Sequence, residues 1–242
     1  MNPLQFDKYF DTRNEIADFG PRFFVRTRAM EKYLKGLSGR LLDAGCGEGN
    51  FLKFLVNRFA GKFDYTGIDV SKKAIHLAEK KLAGQATLIA GEIYAISPKK
   101  KFDVIVCGEV VEHIENDEKF IKKLSMLTQK GGFAVLSVPL DKKLWSEYDT
   151  DAGHFRRYEK KELFDKLENA GFKVKNYTVW GFPLMRLLYG KISKKNKELS
   201  EKKRINLGFL FFMRFARHIF LIDRFFNFTE KGIGIIVLAQ KT

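Results

Sequence analysis

Between residues 40 and 138 five short apolar runs alternate with amphipathic stretches, and this alternation constrains the fold more than any other feature of the chain. The runs are Arg40 to Ala44, Phe63 to Asp69, Ala86 to Ala90, Phe102 to Cys107 and Phe133 to Val138. Strands separated by helical segments pair in parallel, with the helices covering both faces of the sheet. Ser71 stands where it can cap a helix reaching about Ala83, with Ala74, Ile75, Ala78 and Leu82 on one face. Phe120, Ile121, Leu124 and Leu127 repeat in the same way, and Arg22 to Leu34 reads as a helix ahead of the sheet. After the fifth run come a polar loop (Asp141 to His154), a helix from Glu159 to Ala170 stopped at Gly171, a strand from Phe172 to Val179 and a last strand from Gly232 to Gln240. An antiparallel hairpin of these last two strands needs only a short turn, yet about 50 residues separate them, far more than ordinary loops contain. The 242 residues therefore predict one domain: a helical cap (1–38), a core (39–181), an insertion with its own task (182–231) and a closing strand (232–242).

The first run leads into Leu41-Leu42-Asp43-Ala44-Gly45-Cys46-Gly47-Glu48-Gly49-Asn50-Phe51. Alternate glycines between a strand and a helix let the backbone turn tightly and approach a ligand beside a helix N-terminus. Asp69, twenty residues after Gly49, ends the second run, where a carboxylate can accept hydrogen bonds from two ribose hydroxyls. A dinucleotide fingerprint needs its third glycine where this chain has Asn50, which argues against NAD. Asp43 beside the turn would repel a pyrophosphate but suits a ligand that carries an ammonium and a sulfonium.

With these residues the sequence resembles the class I S-adenosylmethionine-dependent methyltransferases. The resemblance implies a Rossmann-like, doubly wound α/β sheet of seven strands, mostly parallel with an antiparallel last strand, and S-adenosylmethionine as cofactor. On that likeness Asp43, Gly45 and Gly47 belong to the first motif, Asp69 with Val70 beside it holds the ribose, and Gly91-Glu92-Ile93 flanks the adenine. Many relatives have Asp where this chain has Glu92. Cys107-Gly108-Glu109-Val110-Val111-Glu112-His113-Ile114 resembles the motif after the fourth strand, and Gln129 to Phe133 the turn into the fifth. Glu-Val-Val-Glu-His followed by Gly-His-x-x-x-Tyr is similar to methyltransferases of small molecules, including the ubiquinone-pathway O-methyltransferases.

Methyl transfer from a sulfonium is an in-line displacement, so positioning supplies most of the catalysis and a base is needed only where the acceptor must lose a proton. His154, in the loop after the fifth strand, is the candidate base, with Asp149 or Asp151 to orient it and Arg156 or Arg157 to bind an acidic substrate group. The competing reading has His154 and Tyr158 holding loop backbone and the arginines solvated. His113 is a second catalytic candidate and Glu109 a cofactor-binding one, on the expectation that both line the pocket; otherwise they hold a helix start in place. Glu109, Glu112 and His113 fall at i, i+3 and i+4, a spacing that would let them share one divalent ion on a short helix; the plainer expectation is no metal, with Glu112 solvated.

Only Cys46 and Cys107 are cysteines, which excludes a disulfide framework and fits a reducing, cytoplasmic compartment; Met1 to Gly20 holds no apolar signal-like stretch. The formal charge of +15 calls for an anionic partner. Arg186 to Lys231 contains 12 Lys/Arg against 4 Asp/Glu, so this stretch alone carries +8. Within it, Lys191 to Arg204 is a basic linker, and Ile205 to Phe228 holds eight phenylalanines. Read as a helix, that second part puts Asn206, Arg214, Arg217, His218 and Arg224 on an arc of roughly 120°, leaving a broad apolar face. Arg214 and Arg217 interrupt it too early for a bilayer span, but it suits the surface of an anionic membrane, on the inner face of which the protein would be peripheral. A lid over the pocket or a homodimer face are the alternatives. The implied acceptor is a small or lipid-linked molecule methylated at oxygen. RNA methylation, which the charge alone would allow, lacks both a separate RNA-binding module and a base-methylation motif after the fourth strand; a cofactor-binding scaffold recruited to a membrane or partner is the non-enzymatic alternative.

Overall fold

The computed structural model describes residues 20–189 and 217–242. Helix α1 (Pro21–Leu34) leads into strand β1 (Gly39–Ala44), followed by α2 (Asn50–Arg58), β2 (Phe63–Asp69), α3 (Lys72–Leu82) and β3 (Thr87–Ala90). Then come β4 (Phe102–Gly108), α4 (Asp117–Leu127), β5 (Thr128–Pro139), the short α5 (Glu147–Asp151), α6 (Lys160–Asn169), β6 (Phe172–Trp180) and β7 (Gly234–Lys241). The strands form one sheet in the order β3-β2-β1-β4-β5-β7-β6. Strands β1 to β5 pair in parallel, whereas β7 runs antiparallel between β5 and β6, with Leu136 opposite Val237 and Val237 opposite Tyr177. This is the expected Rossmann-like arrangement.

Parallel strands buried on both faces read as continuous apolar runs, and β4 is such a case: Val104, Ile105, Val106 and Cys107 are all buried. One face packs on Phe120, Ile121, Leu124 and Leu127 of α4 and Leu163 and Leu167 of α6. The other packs on Val25, Met30 and Leu34 of α1, Leu52 and Leu55 of α2, and Ala78 and Leu82 of α3. Ser71 caps α3 by accepting from the Ala74 amide at 3.0 Å, as its position predicts. The chain departs in opposite directions from the neighbouring strands β1 and β4, which opens a crevice at their carboxyl ends, where open α/β sheets take their ligands.

Three expectations change. Gln129 to Phe133 is no turn before β5; it lies inside the strand, where the pairing jumps from Phe102 opposite Thr128 to Val104 opposite Phe133. The extra residues are accommodated as an irregularity in the ladder. The polar loop after β5 contains a 3₁₀ turn (Lys142–Leu144) and α5. The helix expected over Ile205–Phe228 lies partly outside the described residues, and its described end, Ile219–Phe226, is a 3₁₀ helix with Asp223 buried. Burying a carboxylate on the expected apolar side is incompatible with a simple amphipathic helix; Asp223 instead accepts from the Leu184 and Met185 amides at 2.9 and 3.0 Å.

The close approach of α2 and β3 to the centre of β2 depends on Gly67, where a Cβ would lie 2.9 Å from both Cys46 Sγ and Leu88 Cδ2. Gly67→Ala is expected to lower unfolding stability by about 1–3 kcal/mol through overpacking, measured by urea denaturation.

Candidate active site

The turn after β1 is held from below by β2: the Gly45 and Cys46 amides both donate to the Ile68 carbonyl, at 2.8 and 3.0 Å. Gly45, Gly47 and Gly49 all have positive φ, and a Cβ on Gly45 would lie 2.4 Å from Val110 Cγ2, so both conformation and space demand glycine there. Asp69 fixes the far side, with Oδ2 accepting from the Gly47 amide at 2.8 Å and Oδ1 from the Ser71 amide at 3.0 Å. Val70 is half-buried beside it; Ile93 is buried and Glu92 exposed in the segment after β3.

Asp43 is buried beneath this cradle, and its Oδ2 has no hydrogen-bond partner. Burial, reinforced by the Asp69 charge, pushes its pKa up to about 7. A buried, unpartnered carboxylate next to a backbone cradle fits a cationic group such as an α-ammonium.

Glu109 follows β4 with φ of 59° and is not part of a helix; only Glu112 and His113 lie in the 3₁₀ turn Val111–His113. The shared face expected for Glu109, Glu112 and His113 therefore does not form, because the left-handed residue turns the chain between them. Glu109 accepts from Ser137 Oγ at 2.8 Å and faces Arg22 at 3.5 Å and Arg26 at 3.6 Å. Burial raises its pKa, but Arg26 and Arg22 outweigh this and hold the carboxyl below its ordinary range. Glu112, expected in solvent, is completely buried and neither of its oxygens has a hydrogen-bond partner. Burial, with Glu109 nearby, drives its pKa well up, which favours the neutral acid.

His154 arrives from the loop beyond α5. Its Nδ1 lies 2.9 Å from Asp149 Oδ1 and its Nε2 4.0 Å from Glu112 Oε1. Asp149, rather than the exposed Asp151, orients it. Burial works against the charge on Asp149, but hydrogen bonds from His154 and Arg157 prevail and hold its pKa down at about 2. The ionised Asp149 can only accept at this contact, so Nδ1 carries the hydrogen and the ring nitrogen left for a lone pair is Nε2. His113 packs edge-on against His154 at 4.7 Å, and burial, with His154 beside it, lowers its pKa to about 4. Glu112, His113 and His154 offer ligand atoms within 4.8 Å of one another, so among the described residues this trio, without Glu109, is the set that could meet a divalent ion.

Neither arginine expected to bind an acidic substrate faces the pocket. Arg157 is fully buried, donating to Asp149 and to the Leu140 carbonyl at 2.9 and 3.1 Å and to the Tyr189 hydroxyl. Arg156 is paired with Asp117 at 2.9 Å, and Tyr158 is a buried structural donor to the same Asp117. Arg22 lies beside Glu109 instead: its guanidinium stacks over the Tyr148 and Tyr189 rings at 4.9 and 5.4 Å and its Nη1 is buried without a hydrogen-bond partner. The only trace of this in the sequence is the i, i+4 spacing of Arg22 and Arg26, which places two cations on one face of α1.

A glycine cradle, a ribose-type acid and a buried cation-seeking carboxylate at the carboxyl edge of a Rossmann-like sheet define a nucleoside-cofactor protein of the methyltransferase type. The family model described as the methyltransferase domain matches residues 11–176, and the chain belongs to this family, as an S-adenosylmethionine-dependent class I member. It is 33% identical over 108 residues to a ubiquinone biosynthesis O-methyltransferase of Azoarcus sp., covering 42% of this chain and 45% of that protein. It is 36% identical over 142 residues to the ubiquinone biosynthesis O-methyltransferase of Pelagibacter ubique, covering 57% and 53%. The chain thus spans about half the length of the curated relatives it matches. An S-adenosylmethionine-dependent methyltransferase of Thermotoga maritima shares the fold, with a TM-score of 0.60 at 15% identity over 90% of this chain and 88% of that one.

The raised pKa of Asp43 predicts a cofactor affinity that depends on pH. Binding of S-adenosylhomocysteine, followed by calorimetry, is expected to strengthen as pH rises through about 7 and Asp43 ionises. Asn at this position should weaken it roughly 10- to 100-fold and flatten the profile. The sign for folding is opposite. A carboxyl whose pKa rises from 3.8 to about 7 on folding costs stability as pH climbs between those values, so Asp43→Asn should unfold at higher temperature than wild type at pH 8 in the absence of ligand.

Proposed function

We propose that the protein transfers the methyl group of S-adenosylmethionine to a hydroxyl of a small-molecule acceptor, with His154 as the base. The observation that carries this reading is the buried Asp149–His154 pair, which leaves the lone pair of Nε2 directed to the side on which Glu112 and His113 lie. Resemblance to relatives named ubiquinone biosynthesis O-methyltransferase supports oxygen as the acceptor atom.

When bound, S-adenosylmethionine supplies a methyl carbon on a sulfonium: the acceptor oxygen bonds to that carbon while the carbon–sulfur bond breaks and its electron pair stays on sulfur. Asp43 would hold the cofactor's ammonium and Asp69 its ribose. His154 Nε2 takes the hydroxyl proton, and the ionised Asp149 stabilises the imidazolium that results. Glu112, held as a neutral acid, adds no negative charge beside Nε2 and can donate a hydrogen bond to the acceptor. Arg22 and Arg26 keep Glu109 ionised and provide the cations at this end of the pocket. The two cysteines play no part: both are free and buried, and burial pushes their thiols up. The reading extends to a cytoplasmic location.

The test is product analysis by mass spectrometry with labelled S-adenosylmethionine and a panel of phenols and catechols. Wild type should yield methyl ethers. His154→Ala should lose about 10²- to 10⁴-fold in kcat. Its S-adenosylhomocysteine affinity should stay within about twofold, since only the transition-state contact is removed. Methylation confined to amines, or full activity in His154→Ala, would overturn the assignment.

A further inference from the structure

We propose that the surface formed by the turn after β6 and the 3₁₀ helix before β7 is a docking plate for an anionic lipid bilayer. Leu187, Phe225 and Phe228 are 75%, 78% and 81% exposed, and Leu188, Ile222 and Phe226 are exposed around them. Exposed apolar side chains elsewhere among the described residues, such as Met126 and Phe155, are single and scattered over other elements. A cluster on two adjoining segments marks an interaction site, where single residues need no explanation.

The plate is built rather than frayed. Asp223 is fully buried and its two oxygens accept from the Leu184 and Met185 amides, clamping the start of the helical turn over 184–189 to the 3₁₀ helix. The Phe226 ring packs against Phe182 at 6.4 Å and Phe228 at 6.5 Å. Arg186 anchors the turn from the other side through Asp141 at 2.7 Å and the Lys231 carbonyl at 3.0 Å. The phenylalanine rings are thus presented on a preorganised base.

Charge selects the occupant. His218, Arg224 and Lys231 are exposed beside the apolar side chains, and the whole stretch from Arg186 to Lys231 carries +8 by sequence. A second copy seated on this face would set the exposed Arg224 and Lys231 against like charges, whereas a bilayer of acidic phospholipid offers both an apolar interior for the rings and negative headgroups for these cations. Among the described residues no helix is long and apolar enough to cross a membrane, so the contact is with the surface. The same helical turn carries Tyr189, whose hydroxyl accepts from Arg157, the buried partner of Asp149. A plate resting on lipid would therefore bring the pocket to the bilayer surface and favour acceptors carried in lipid. That last step rests on the proposed reaction; the docking itself does not.

The experiment is co-sedimentation of the full chain with vesicles of phosphatidylcholine alone or mixed equally with phosphatidylglycerol, at low and high salt, for wild type and Phe225→Asp/Phe228→Asp. Neither residue touches the cofactor cradle, so unchanged S-adenosylhomocysteine binding controls for folding. Wild type should pellet with the anionic vesicles at low salt, at least tenfold more weakly with neutral ones or at high salt, and the double variant should lose at least tenfold on anionic vesicles. Failure of wild type to bind anionic vesicles overturns the proposal. So does equal binding by the double variant, which would assign the attraction to charge alone. A lipid-insensitive dimer that the double variant dissolves would make the plate a self-association face.

Discussion

One fully buried carboxylate, Asp149, gathers four donors: the Ser146 amide and hydroxyl at 2.9 and 3.1 Å, His154 Nδ1 at 2.9 Å and Arg157 Nε at 2.9 Å. A buried carboxylate is stable only when so paired, and here the partners come from three places along the loop after β5. The first two cap α5, the third fixes the histidine, and the fourth is a buried cation that goes on to Leu140 at the end of β5 and Tyr189 beyond β6. The loop that carries His154, the end of the central sheet and the segment beside the exposed phenylalanines are thus tied to one charge.

The crevice divides its electrostatics by burial and by partner. Asp43 is buried without a cation paired to it; Glu109 is half-buried and already paired with two arginines from α1. Glu112 has neither and is driven to the protonated form. Three carboxyls of the crevice therefore differ in state: one buried and unpartnered, one paired with two arginines, and one driven toward the neutral acid. Differences in surroundings, not in residue type, assign these roles.

The sheet was legible in the sequence because each strand is a local apolar run, and so was the cofactor cradle, whose glycines and Asp69 sit at fixed distances along one β-α-β unit. What depends on distant packing was not legible. Spacing alone offered both Asp149 and Asp151 to His154, and only the fold buries the first and exposes the second. Arg156 and Arg157 looked available because their neutralising partners, Asp117 and Asp149, are assigned by tertiary contacts. Arg22 reaches Glu109 across 87 residues of sequence, beyond any local pattern. At the described end of the stretch before β7, Asp223 is drawn inward by two backbone amides that no helical projection contains.

A crystal structure with S-adenosylhomocysteine bound tests the central claim most directly. The account predicts the homocysteine amine on the Asp43 carboxylate, both ribose hydroxyls on Asp69, and the sulfur and His154 Nε2 facing a common cavity. A ligand amine turned away from Asp43, or a sulfur separated from His154 by protein, would contradict it.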